Sequence, residues 1–176
     1  MSTILTQEQS IQLLNLTNLQ SNKGFTLIYQ ASKDGFSGYN FHAKVDGKIN
    51  TLTIVKSDKY IFGGFTTQDW SGSCVYKYDS NAFLFSLINP YNISIKMNIT
   101  KPEYAIYAYN YYGPTFGGGF DFYFTGGSND SISGNTNLGH SYQLPSNYNS
   151  YSFLTGSNQI VASEIEVYQL DGMIIF

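Results

Sequence analysis

The spacing of apolar residues changes once along the chain, and in the N-terminal part it is the spacing of a helix. The apolar positions near the N-terminus are Ile11, Leu13, Leu14 and Leu16. They are mostly three or four residues apart, which is the spacing of one helix face. Thr6 followed by Gln9 has the pattern of a capping box, in which each side chain caps the backbone N–H of the other residue. The pattern predicts a helix within residues 6–20.

From Phe25 onward the period changes to two, which is the period of a strand. The segments that predict strands are FTLIYQA, FHAKVDGKINTLTIV, YIFGGFT, AFLFSLI, NISIKMNIT, AIYAYNY, FDFYF and SEIEVYQL. We expect the second segment to be a hairpin that turns at Asp46-Gly47, and residues 126–150 to be a long polar loop. The spacing of the strands is typical of an antiparallel sandwich or barrel, built over residues 25–171.

The composition favours a sheet protein whose surface is aromatic and poor in charge. Of the 176 residues, 17% are aromatic, with 16 Tyr and 13 Phe, and only 12% are charged. Since tyrosine combines apolar area with a polar tip, it can replace ion pairs on the outer faces of a sheet. A chain of this length buries roughly 70% of the surface that its unfolded form exposes. We expect one domain over residues 1–176 that folds without a disulfide, metal or cofactor.

The charges argue against several classes of partner. The net charge is −3 and the nine Lys and Arg are scattered, whereas nucleic acids and anionic membranes select basic patches. No apolar stretch approaches the roughly 20 residues of a membrane span, and the first residues do not resemble a signal peptide. One cysteine, Cys74, excludes an internal disulfide and is typical of a reducing compartment. These features predict a cytoplasmic protein that inserts into no membrane and binds no nucleic acid.

Two glycine-rich stretches, YIFGGFT and GPTFGGGFD, do not have the pattern of a phosphate loop. Such a loop needs Lys and Ser or Thr after its glycines and a helix behind them. We interpret the glycines as sites of a bulge or of close backbone packing.

The only tryptophan, Trp70, follows the YIFGGFT segment and stands next to Asp69. It either closes the edge of the sandwich or anchors a partner protein, since aromatic residues are enriched in interface cores. A third interpretation is a sugar-binding platform that combines Trp70 and Asp69 with Tyr111 and Tyr112.

Glu164 and Glu166 are candidates for acid–base chemistry. Residues two apart on a strand lie on one face, about 6.5–7 Å apart, and this separation suits a pair of catalytic carboxylates. Alternatively, the two residues line the polar face of a strand whose other face carries Ile165 and Val167, with a structural or partner-binding role.

Asp34, Ser37 and His42 have the side chains of a nucleophile–base–orienter set. All three lie within nine residues around a predicted turn, so we interpret Asp34 and Ser37 as turn residues that bind their own backbone.

Cys74 is a candidate peroxide-reactive thiol with Lys77 nearby, although no His or second Cys lies close in sequence. The alternative is an inert small apolar residue. His42 and His140 are about a hundred residues apart and have no zinc-ligand spacing, so we expect no metal site.

Six segments in chain order resemble the TLDc domain of the oxidation-resistance protein family. They are FTLIYQASKDGFSGYNFHAKVDGKINTLTIVKS, YIFGGFTTQDW, AFLFSLINP, GPTFGGGFDFYF, LGHSY and FLTGSNQIVASEIEVYQL. The resemblance implies a two-sheet antiparallel β-sandwich with short flanking helices, as a stand-alone domain. It also implies a role in oxidative-stress resistance and, for some members, binding to the vacuolar-type proton pump. It places Glu164 and Glu166 in the family's terminal acidic motif and brings no agreed catalytic chemistry.

These observations support two classes of function. The leading hypothesis is a non-enzymatic interaction module that binds a protein assembly, such as the peripheral subunits of a vacuolar-type proton-pumping ATPase. The alternative is a sandwich that binds a small molecule or carbohydrate, or a hydrolase that uses Glu164 and Glu166. Peroxide chemistry at Cys74 is a third hypothesis.

Overall fold

The computed structural model describes residues 2–172 and 174–175 and consists mainly of antiparallel strands, as the sequence predicts. The helices are α1 (Gln7–Thr17), α2 (Ala31–Asp34) and α3 (Gly38–Val45), with a 3-10 helix at Pro102–Tyr104. The strands are β1 (Gln20–Ser21), β2 (Phe25–Gln30), β3 (Thr51–Ser57), β4 (Tyr60–Thr66), β5 (Val75–Lys77), β6 (Phe83–Ile88), β7 (Ile95–Asn98), β8 (Ile106–Ala108), β9 (Phe122–Gly127), β10 (Ile132–Thr136), β11 (Gln159–Ala162), β12 (Glu164–Leu170) and β13 (Ile174–Ile175).

The strands form the two layers of a sandwich. One sheet has six strands in the order β2-β12-β3-β4-β6-β7. The other layer contains β11-β10-β9 and the pair β5-β8, and isolated bridges of Phe116 to Ile106 and to Phe122 connect the two groups. Strand β1 pairs separately with β13.

The main core lies between the two layers. Phe62 on β4 meets Phe122 on β9 with ring centroids 5.5 Å apart and ring planes at 82°, an edge-to-face arrangement that aromatic pairs favour. The six-stranded sheet contributes Val55, Leu84, Ile165 and Val167, and the other layer contributes Ile106, Phe116, Phe124 and Ile160.

A second core covers the opposite face of the six-stranded sheet. Ile4, Leu5 and Leu13 from the N-terminal segment and α1 pack there against Leu52 and Ile54 of β3. Because both faces of the sheet are buried, β3 and β4 are almost entirely buried along their lengths.

The predicted N-terminal helix and its capping box are confirmed. Thr6 Oγ1 accepts a hydrogen bond from Gln9 N, and the Gln9 side chain accepts one from Thr6 N. The predicted apolar stripe is only partly correct, because Leu13 is buried whereas Ile11 is 54% exposed.

The predicted hairpin at Asp46-Gly47 is wrong, because the preceding residues form helix α3. Ser37 caps this helix by accepting a hydrogen bond from Asn40 N, and Phe41 and Val45, four residues apart, are both buried. This spacing is helical. The hairpin lies further along the chain, where Ser57 pairs with Tyr60 across the turn between β3 and β4.

The predicted loop at residues 126–150 is also partly wrong, because it contains strand β10. Its alternating burial matches a strand with one face on the core, and it pairs with both β9 and β11. The sequence did not predict this strand because Ser133 and Asn135 are polar and only Ile132 among its five residues is strongly apolar.

Close backbone packing at the β4 glycines is confirmed. A Cβ added to Gly63 would lie 2.0 Å from the Thr53 carbonyl oxygen of β3, so a side chain there must displace the neighbouring strand. A bulge also lies in β4, between Ile61 and Phe62.

Candidate functional site

Glu166 is a buried carboxylate that fastens the N-terminal segment to β12. It is fully buried and accepts hydrogen bonds from Thr3 N at 2.7 Å, Thr3 Oγ1 at 2.8 Å and Ser2 Oγ at 2.5 Å. Tyr168 Oη donates to the same carboxylate at 3.0 Å. Burial, followed by the charge of Glu166, raises the pKa of Tyr168 to about 12.

Glu164 holds the start of helix α2 in the same way. Its carboxylate accepts hydrogen bonds from Ser32 N at 3.1 Å and from Gln30 Nε2 at 3.4 Å. Gln30 Nε2 also donates to Thr3 Oγ1, so Glu164 and the N-terminal segment share one polar network. Both carboxylates therefore bind the protein's own donors, and Glu166 is accessible to neither a partner nor a substrate. The polar face predicted for Glu164 and Glu166 is turned inward, since Ser2 and Thr3 bind Glu166, and Gln30 and Ser32 bind Glu164.

Asp34, Ser37 and His42 do not converge. Asp34 accepts from Gln30 N and pairs with Lys44, 2.8 Å away. Ser37 caps α3. His42 Nδ1 lies 2.7 Å from Asp46 Oδ1, and its Nε2 lies 3.1 Å from the Tyr109 carbonyl oxygen. The second contact positions the backbone of residues 109–112, which we call the tyrosine loop.

Trp70 is a core residue. Its side chain is fully buried, its ring packs edge-to-face against Phe41 and Phe116 at centroid distances of 5.3 Å, and Nε1 donates to Thr51 Oγ1 at 3.0 Å. The partner-anchor and sugar-platform interpretations of Trp70 are therefore wrong, because no ligand can reach the indole. Its neighbour Asp69 forms an ion pair with Lys77 that holds the loop.

Cys74 is exposed, not packed as a small apolar residue. It lies beside Tyr107, where a hydrogen bond between the two side chains raises the pKa of Tyr107 to about 12. Lys77 is bound to Asp69 and not to the thiol.

No cluster of three potential metal ligands occurs within residues 2–172.

Replacing Cys74 by Ala is expected to lower the pKa of Tyr107 toward its ordinary value of about 10, because the main cause of the upward shift is removed. An NMR titration of protein labelled at tyrosine Cζ measures the pKa, and a Tyr107→Phe spectrum assigns the signal. An unchanged pKa in the Ala variant would contradict this assignment of the shift to Cys74.

A continuous group of aromatic side chains is exposed at four positions, Tyr39, Tyr76, Tyr104 and Tyr111, and partly buried at the others, and we call it the tyrosine surface. Its members are Tyr39, Tyr76, Tyr104, Tyr107, Tyr109, Tyr111, Tyr112, Phe120 and Tyr123. Neighbouring ring centroids lie between 4.7 Å (Tyr76–Tyr107) and 6.4 Å (Tyr107–Tyr112) apart. The two most exposed members are Tyr39 at 57% and Tyr111 at 56%. None of these side chains carries a charge at neutral pH.

Several elements bring these rings together. Tyr76 and Tyr107 are opposite each other in the β5-β8 pair. Gly38 at the start of α3 lets the tyrosine loop approach, since a Cβ there would lie 2.4 Å from the Tyr111 carbonyl carbon. This approach places Tyr39 against Tyr111, with centroids 5.0 Å apart.

Tyr111 and Tyr112 are recognisable in the sequence as candidate binding residues, but the tyrosine surface as a unit is not. A local signal was present, because Tyr107, Tyr109 and Tyr111 alternate within AIYAYNYYG, the period that places side chains on one side of an extended chain. The contributions of α3, β5 and β9 depend on long-range pairing and had no such signal.

The fold and the tyrosine surface define a β-sandwich domain with an exposed, uncharged aromatic face. The family model of the TLDc domain matches residues 1–171, and the chain therefore belongs to the TLDc domain family. A search of curated proteins found no significant match. Within the described part of the chain, no helix has the length and apolar character that a membrane crossing requires.

Proposed function

We propose that this TLDc domain is a non-enzymatic interaction module that binds a protein assembly through its tyrosine surface. The observation that carries the proposal is the continuous group of aromatic rings around Tyr107, of which Tyr39, Tyr76, Tyr104 and Tyr111 are exposed. Monomeric proteins rarely expose large contiguous apolar patches without a partner, and tyrosine is enriched at interface cores and among the residues that dominate binding energy.

The proposed assembly is the peripheral part of a vacuolar-type proton-pumping ATPase in the cytosol, and the proposed physiological effect is resistance to oxidative stress. The proposed partner and the proposed effect both come from the resemblance to the TLDc domain family, and the match of the family model supports that resemblance. Binding of this kind needs no catalytic residue, which agrees with the structural contacts of Glu164 and Glu166.

The Tyr76→Ala/Tyr111→Ala double variant is expected to bind the purified peripheral part of the ATPase at least about tenfold more weakly than the parent, a change of roughly 1.4 kcal/mol. The reason is that the double variant removes exposed rings from two positions on the tyrosine surface. Biolayer interferometry measures the affinity, and circular dichroism checks that the fold is retained.

The matched control is Tyr151→Ala, because Tyr151 is also exposed but does not belong to the tyrosine surface. It is expected to bind as the parent does and to restore peroxide survival equally in cells that lack the protein. Absence of binding by the parent domain rejects the ATPase as partner. Equal binding by the double variant and the control rejects the tyrosine surface.

A further inference from the structure

Tyr39 and Tyr111 are the most exposed pair of touching rings in the described part of the chain. Tyr39 is 57% exposed and Tyr111 is 56% exposed, and their ring centroids lie 5.0 Å apart with the ring planes at 70°. Their hydroxyl groups are hydrogen-bonded to each other, and this bond is the main cause that raises the pKa of Tyr39. The two phenols are therefore in contact with each other and open to solvent.

The backbone keeps the two rings together. Gly38 lets the tyrosine loop approach helix α3, because a Cβ there would lie 2.4 Å from the Tyr111 carbonyl carbon. Further along the helix, His42 Nε2 lies 3.1 Å from the Tyr109 carbonyl oxygen. The helix and the loop are thus joined at two points, and Tyr39 and Tyr111 remain neighbours without a partner protein.

Two phenols in contact can couple through carbon when each of them is oxidised by one electron. A phenol that loses an electron to an oxidant and its O–H proton to water becomes a phenoxyl radical, whose unpaired electron is shared with the ring carbons next to the C–O carbon. Two such radicals form one C–C bond between these carbons, and the hydrogen on each joined carbon then moves to the oxygen of its ring. The protein loses two hydrogen atoms in all, and two equivalents of a one-electron oxidant, such as a peroxyl radical, are reduced.

The contact between the hydroxyl groups distinguishes this pair from the other exposed pair. The coupling carbon is bonded to the carbon that carries the hydroxyl, so hydrogen-bonded hydroxyls bring the coupling carbons of the two rings close together. Tyr76 and Tyr104 also touch, with centroids 5.1 Å apart, but they are less exposed, at 37% and 40%. Tyr76 Oη donates to the Gly118 carbonyl oxygen instead.

We propose that Tyr39 and Tyr111 are a site of intramolecular dityrosine formation when the protein meets a one-electron oxidant. The cross-link ties helix α3 to the tyrosine loop and consumes two oxidising equivalents at the surface. The oxidisable side chains of Trp70 and Met97 are buried in the core, away from this reaction. The proposal goes beyond the proposed function, because it concerns the domain alone and needs no partner.

The test is photo-oxidation of the whole domain with ruthenium tris-bipyridyl and persulfate, which supply one-electron oxidants. Dityrosine fluorescence measures the yield, and peptide mass spectrometry locates the cross-link and checks for the loss of two hydrogen atoms. The cross-link between residues 39 and 111 is expected to be the main dityrosine product and to form within the monomer. Its yield per molecule is expected to stay constant when the protein is diluted.

A Tyr39→Phe variant keeps the ring and removes the phenol. Groups held in one molecule meet at an effective concentration on the order of millimolar, so at micromolar protein the total dityrosine yield of this variant is expected to fall at least about tenfold. The matched control is Tyr151→Phe, which removes a tyrosine that is 48% exposed and lies outside the tyrosine surface. The control is expected to give the yield of the parent.

A Gly38→Ala variant tests the geometry with both phenols in place. The added methyl group must displace the backbone of the tyrosine loop, so the cross-link between residues 39 and 111 is expected to form in lower yield than in the parent. Circular dichroism checks that the variant is folded, and an unchanged yield in the folded variant contradicts the geometric basis of the proposal. If the variant does not fold, the product map of the parent and the Tyr39→Phe yield still decide.

A main cross-link between Tyr76 and Tyr104, or between any other pair, overturns the proposal. A product formed mostly between molecules, or a Tyr39→Phe yield equal to that of the control, also overturns it. None of these outcomes depends on binding to the ATPase, so this proposal and the proposed function can fail separately.

Discussion

Replacing Trp70 by Ala is expected to lower the free energy of unfolding by about 3–5 kcal/mol, the range for truncation of a large buried aromatic residue. The indole is fully buried and packs between Phe41 and Phe116. Its removal leaves a cavity where helix α3 meets the main core, and the surrounding side chains can collapse only in part. Urea unfolding followed by circular dichroism measures the loss without relying on tryptophan fluorescence.

Two further substitutions separate ring packing from the indole hydrogen bond. Trp70→Phe keeps most of the apolar contact and loses the bond from Nε1 to Thr51 Oγ1, so we expect a smaller loss than in Trp70→Ala. Thr51→Val leaves the indole N–H without its acceptor and is expected to cost about 1–3 kcal/mol. A Trp70→Ala protein as stable as the exposed-site control Tyr151→Ala would contradict the buried position of the indole.

The sequence predicts a strand correctly where the local pattern of β-branched and aromatic residues agrees with the pairing of that strand in the folded sheet. The segment YIFGGFT coincides with β4 (Tyr60–Thr66), and SEIEVYQL contains β12 (Glu164–Leu170). In both, runs of β-branched and aromatic residues bounded by turn residues favour extended structure. The six-stranded sheet therefore follows largely from local sequence.

Residues 38–45 show where a local pattern misleads. FHAKV supports a strand by alternation and a helix by the spacing of Phe41 and Val45, and a short segment cannot decide between the two periods. The Ser37 cap and the burial of His42 beside Phe41 select the helix. The Asp46-Gly47 pair follows the helix instead of forming a hairpin, so turn residues mark a chain reversal without specifying the elements that flank it.

The candidate carboxylates show a different limit. Alternation correctly placed Glu164 and Glu166 on one face of a strand, but what covers this face depends on where residues 2–5 dock. Those residues lie more than 150 positions away in sequence, and their contacts leave no periodic signal. The same applies to the tyrosine surface, whose members come from separate elements.

Replacing Glu166 by Ala is expected to lower the free energy of unfolding by about 1.5–3 kcal/mol, because several hydrogen bonds to one fully buried carboxylate are lost while water can reach the partly exposed donors. Thr3 N, Ser2 Oγ and Tyr168 Oη each donate to this carboxylate. Loss of these bonds is also expected to loosen the N-terminal segment locally. Urea unfolding measures the global effect, and amide hydrogen exchange measures the local one.

The pattern of hydrogen exchange distinguishes this role from simple loss of packing. Exchange is expected to rise first at the amides of Thr3, Ile4 and Leu5. The amides of Ile4 and Leu5 donate to Ser2 Oγ, and the Ser2 hydroxyl in turn donates to Glu166 Oε2.

The control is Glu103→Ala, at an exposed acidic residue, and it should change neither stability nor exchange. Since Ile4 and Leu5 belong to the second core, release of the segment would uncover the apolar face of the six-stranded sheet. If these amides keep their protection in Glu166→Ala while stability falls, the apolar contacts of Ile4 and Leu5 hold the segment, and the carboxylate serves mainly to satisfy Tyr168.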